Sequence, residues 1–98
     1  MLPLGKTDLQ ETPLCCALAY RPASDDAFAF GDGIGWSGRS IRFQGSDGLT
    51  LHEAVEVRLE AVRGVFPPLM ILAEVTGCRE LSKTRFEISG QIKGILTL

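Results

Sequence analysis

The stretch Gly35-Trp36-Ser37-Gly38-Arg39-Ser40-Ile41-Arg42-Phe43 gathers residue types that hold an anionic, base-bearing ligand. Arg39 and Arg42, with Arg21 beside the same loop, offer planar forks of donors for an oxyanion or a purine edge. Trp36 offers a flat surface for a base. Each residue has a competing structural use. The two arginines read equally as solvated strand or turn residues, Trp36 as an anchor on the wall of the core, and Ser37 as a hydroxyl that satisfies its own loop.

Catalytic constellations are absent from the sequence pattern. His52, the one histidine, has Glu53 beside it, but neighbours on a strand face apart. Glu56 and Glu60 share a strand face about 13 Å apart by strand rise, wider than a glycosidase pair, and read as a solvated face. Cys15, Cys16 and Cys78 are odd in number and lack C-x-x-C spacing, so neither a disulfide framework nor a zinc ribbon is expected. The chain is therefore read as a non-enzyme without metal or cofactor, with ordinary part-buried thiols suited to a reducing cytoplasm.

Composition narrows the class further. A chain of 98 residues, 45% hydrophobic, is enough for one core and one domain. Net charge is −2 with mixed signs, which gives no broad basic surface for nucleic acid or an anionic membrane. Residues 1–12 lack the apolar core of a signal peptide, and the apolar run 64–73 is about half of what a membrane span needs.

Period-2 alternation predicts the elements that must position the loop. A first strand runs over 14–21 and a second begins at 27–30, before the glycines at 31, 33, 35 and 38 impose a bend or bulge. The third strand covers 37–44 and the clearest covers 54–61, with Val55, Val57 and Leu59 on one face. Residues 69–75 are almost wholly apolar, as in a strand covered on both sides or at a barrel's centre. The last strand spans 84–92. Phe28, Phe30, Phe43 and Phe86 all fall on apolar strand faces. Six evenly spaced strands without crossover helices predict an all-β, antiparallel six-stranded barrel over 13–98, after an amino-terminal extension at 1–12. Its expected core is Leu18, Phe43, Val55, Val57, Leu59, Ile71, Ala73, Phe86 and Ile88.

The ordered set of features resembles the PilZ domain, a small barrel that binds the bacterial second messenger cyclic di-GMP. An apolar strand ends in Tyr20-Arg21-Pro22, and the glycine-serine bend passes into Ile41-Arg42-Phe43. The stretch Leu49 to Val57 resembles the family's Leu-x-x-Gly-x-x-Val-x-Val, with His52 where glycine is usual. The family's loop motif is Asp/Asn-x-Ser-x-x-Gly; here Gly35 stands at the Asp/Asn place, Ser37 is retained and Ser40 stands at the final Gly. The family's Arg-x-x-x-Arg segment, which precedes the first strand, has only Lys6 to answer it within 1–14.

The resemblance implies a cytoplasmic signalling module of the cyclic di-GMP network, with ligand contacts expected from Arg21, Gly35, Trp36, Ser37, Arg39, Ser40 and Arg42. The missing arginines and the bare Gly35 point toward weak or lost ligand binding and action through protein contacts. Two other readings stand beside it: a cyclic di-GMP receptor with a rearranged pocket, and a small nucleic-acid-binding barrel. A protein partner or second copy is expected to use the terminal strands and the apolar loop of Val65, Phe66, Pro67 and Pro68. A closing helix after the barrel, usual in the family, is expected to be short or missing.

Overall fold

The computed structural model of the chain describes residues 11–60 and 68–97. Seven strands, and no helix, are found among them: β1 (Thr12–Pro13), β2 (Ala17–Pro22), β3 (Ala29–Trp36), β4 (Ser40–Gly45), β5 (Ala54–Leu59), β6 (Leu69–Ser82) and β7 (Arg85–Thr97). Strands β2 to β7 pair in the order β3-β2-β5-β6-β7-β4, and β4 pairs back onto β3 to close a six-stranded antiparallel barrel. Closure leaves the six strands without a continuous free edge.

Strand β1 prolongs the line of β2 along the same edge of β3. Thr12 faces Trp36 and Pro13 faces Gly35, whereas Ala17 faces Asp32, so one extra residue is accommodated over 14–16. The Leu14 N–H bonds the Ile34 carbonyl at 3.1 Å, and the Gly33 N–H bonds the Cys16 carbonyl at 2.9 Å. That distortion turns Leu14 inward, where it is buried at the end of the core.

Alternation dictates the interior. Leu18 and Tyr20 of β2, Ile41 and Phe43 of β4, Val55, Val57 and Leu59 of β5, Ile71, Ala73 and Val75 of β6, and Ile88 of β7 form one buried cluster. Tyr20 is its polar member. Its ring lies 4.9 Å from that of Phe43 at a 59° tilt, and its hydroxyl reaches the backbone of Asp47. A Cβ on Gly45 would meet the Tyr20 ring at 2.3 Å, so only glycine lets β4 pass the aromatic so closely.

Several expectations are corrected here. Phe30 is 70% exposed, and Phe86 is only partly buried, although both were expected on covered faces. Strand β3, expected to begin at 27–30, runs through the glycines to Trp36, and the bulge expected of them falls between Gly33 and Gly35, where the register shifts. Leu69 to Val75 is covered on one face only, since Leu72 is 41% exposed between buried Ile71 and Ala73. Both β6 and β7 outrun the expected limits, forming a hairpin bent by register shifts at Leu72/Ala73, Val75/Gly77 and Glu80/Ser82.

Candidate functional site

The bend between β3 and β4 is built around the Ser37 hydroxyl. It accepts the N–H groups of Arg39 and Ser40, both at 3.2 Å, and lies 3.1 Å from the Ser40 hydroxyl. The Ser37 N–H donates to the Ser40 carbonyl at 2.9 Å. Four hydrogen-bond contacts thus close the turn on itself, the self-satisfying use of a turn serine.

Arg42 projects from β4 into a clamp of two carboxylates. Its Nε and Nη2 donate to the two oxygens of Glu11 at 3.1 and 2.7 Å, and Nη1 donates to Glu87 at 2.7 Å. The other Glu87 oxygen takes Nη2 of Arg79 at 2.5 Å. These bonds hold the Glu11 and Glu87 carboxyls below the usual carboxylate range and raise the already high pKa of Arg42. Gly35 makes the clamp possible: a Cβ there would come within 2.4 Å of the Glu11 carboxyl carbon. The acid beside Gly35 is Glu11, and it engages Arg42 while staying partly exposed.

Trp36 packs against the core cluster while one side lines a hollow of about 420 Å³ with Thr12, Ser37, Gly38 and Ile95. Arg39 is exposed beside it, and its guanidinium has no partner among the described residues. Six of the seven expected contacts therefore meet at one end of the barrel. Arg21 does not join them.

Arg21 pairs with Glu56 of β5 and follows Tyr20, whose partner Ala29 is at the other end of β3, roughly 23 Å from Trp36 by strand rise. It bonds Glu56 at 3.1 Å and the Asp25 carbonyl at 3.2 Å, and Glu56 also takes Nε of Arg58 at 2.8 Å. The guanidinium carbons of Arg21 and Arg58 lie 4.8 and 4.9 Å from the Phe28 ring centre. Glu56, expected on a solvated face, is buried beneath this cluster, and Arg58 foremost, then Arg21, lowers its pKa. The Nε of Arg21 is buried without a hydrogen-bond partner among the described residues. None of this grouping was read from the sequence. The one available signal was alternation, which puts Phe28 with Phe30, and Glu56 with Arg58, on common faces.

The remaining candidates are simple. His52 is exposed, bonds Glu74 rather than Glu53 through Nδ1 at 3.1 Å, and has φ of 70°. That left-handed backbone is the conformation glycine favours, and glycine is what the resemblance puts at this position. The cysteines are free thiols; Cys15 is exposed, and burial pushes Cys16 up. No cluster of metal-ligating side chains and no helix fit to cross a membrane occur among the described residues. Val65, Phe66 and Pro67 lie outside the described residues, and Pro68 is exposed at the start of β6. No protein family, curated protein or solved structure matches the chain.

Proposed function

We propose that the chain is a PilZ-type signalling module in which cyclic di-GMP binding is weak or lost and whose output runs through protein contacts. The closed antiparallel barrel, the serine-centred bend ahead of Ile41-Arg42-Phe43, and the left-handed residue 52 are all compatible with that family. The observation that carries the ligand part is the Glu11 carboxylate laid across Gly35 onto Arg42. A guanidinium engaged by two carboxylates is neutralised and has few donors left, so it is a poor receiver for a phosphate or a guanine edge.

Protein contact is supported by the far end of β7. Strand β4 begins at Ser40 opposite Gln91, so residues 93–97 pair with β6 alone. Their outer backbone groups have no partner among the described residues, and Ile95 and Leu96 are 45% and 51% exposed. An open strand edge with apolar side chains is a template for an added strand.

Calorimetric titration with cyclic di-GMP, with Trp36 fluorescence as a local reporter, tests the ligand part. We expect no saturable heat at micromolar concentration. A dissociation constant at or below micromolar, with a change at Trp36, favours the receptor with a rearranged pocket, for which exposed Arg39 and the hollow beside Trp36 speak.

A further inference from the structure

A row of three side chains crosses the outer wall far from the bend. Phe30 of β3 stands opposite Ala19 of β2, and Ala19 stands opposite Arg58 of β5. The flanking strands are about 10 Å apart, and a methyl group is all that fills the space between a phenyl ring and a guanidinium. The result is a groove of about 450 Å³ whose lining includes Ala17, Ala19, Phe30, Arg58, Glu60 and Pro68. That volume lies in the range of small-molecule sites.

Arg58 is already oriented. Its Nε is held by Glu56, and its plane is fixed by the Phe28 ring on the neighbouring row. Both Nη groups remain without partners among the described residues, and so does the Glu60 carboxylate. Glu60 sits two residues along from Arg58, about 7 Å by strand rise, where its N–H still pairs with the Ala17 carbonyl at 3.3 Å. The row therefore carries a stacking surface and a forked donor, with the Glu60 carboxylate to one side of it along β5.

We propose that this groove binds a planar aromatic acid. The ring lies over Ala19 against Phe30, and the carboxylate takes the paired Nη donors of Arg58. Polyanions are poor occupants, because Glu56 and Glu60 balance Arg21 and Arg58 and leave no net positive potential. A single delocalised carboxylate on an apolar body matches both the charge and the floor. This site shares no residue with the bend, so it stands or falls independently of the cyclic di-GMP reading.

The test is titration of the full chain, nitrogen-labelled, with para-hydroxybenzoate, followed by amide shifts in nuclear magnetic resonance spectra. Saturable shifts confined to residues 17–19, 30–31 and 58–60 are expected. Phe30→Ala and Arg58→Met should each weaken binding about tenfold or more. Arg58→Lys keeps the charge beside Glu56 but not the fork, and should weaken it similarly. Cyclohexanecarboxylate, equal in charge but not planar, should bind less tightly. No saturation into the millimolar range, or wild-type affinity retained in the Arg58→Met and Arg58→Lys proteins with their spectra otherwise unchanged, overturns the proposal.

Discussion

Tyr20 and Asp47 are joined twice through one oxygen: the Tyr20 hydroxyl donates to the Asp47 carbonyl at 2.6 Å and accepts the Asp47 N–H at 2.9 Å. A core side chain of β2 thereby fixes the loop after β4, and burial pushes the Tyr20 phenol up. Tyr20→Phe removes both bonds and keeps the ring. It should cost about 1–3 kcal/mol, read as a lower urea midpoint at constant slope, whereas Tyr20→Ala should cost about 3–5 kcal/mol.

His52 holds a backbone conformation that costs a non-glycine residue about 1–2 kcal/mol, while its side chain makes only an exposed contact with Glu74. His52→Gly relieves the strain at some cost in chain entropy. A net gain of about 0.5–1 kcal/mol is expected, seen as a rise in Tm of a few degrees. A fall in Tm would show that the His52 side chain matters more than its backbone.

Three carboxylates, Glu11, Glu56 and Glu87, have folded pKa values below their ordinary one because arginines hold them. Groups depressed in the folded state add stability that is complete above the unfolded pKa and vanishes as pH falls through the folded value. Urea midpoints measured over a pH series should be level near neutrality and decline below the ordinary glutamate range. Glu87→Gln should flatten that decline, and an unchanged profile would remove Glu87 from its causes.

Glu11 and Arg42 are coupled across 31 positions of sequence. Their bidentate contact is partly exposed, so a double-mutant cycle with Glu11→Gln and Arg42→Met should give a coupling of about 0.5–1 kcal/mol that shrinks in high salt. Gly35→Ala should reproduce most of the loss, because its methyl group needs the space the Glu11 side chain fills.

Strands β4 and β5 were legible in the sequence: their inward residues alternate and are buried as expected, although the outer face of β5 is covered at Glu56. Where both faces are wet, as in β6 beyond Val75, alternation fades and the strand end was missed. The glycines before Trp36 signalled a bend or bulge, and a bulge is found there, but glycine marks close approach as well as turns, and only the partner strand shows that β3 continues through them. For the same reason the Glu11 clamp was invisible: it depends on which strand passes Gly35. Phe30 was misplaced because an aromatic in a strand reads as core until its face is known.

The strand order divides the chain at residues 46–53 into two meanders, β2-β3-β4 and β5-β6-β7, each joined internally by neighbours in sequence. Among the described residues two strand seams unite them, β2 with β5 and β4 with β7. An arginine of the first half meets a glutamate of the second at both, Arg21 with Glu56 and Arg42 with Glu87. Hairpins zip locally before distant strands meet, so the seams are the slow, late part of folding. A chain severed between Ser46 and Glu53 should yield two fragments that recombine into the barrel, with a rate that falls as added salt screens the arginines from the glutamates.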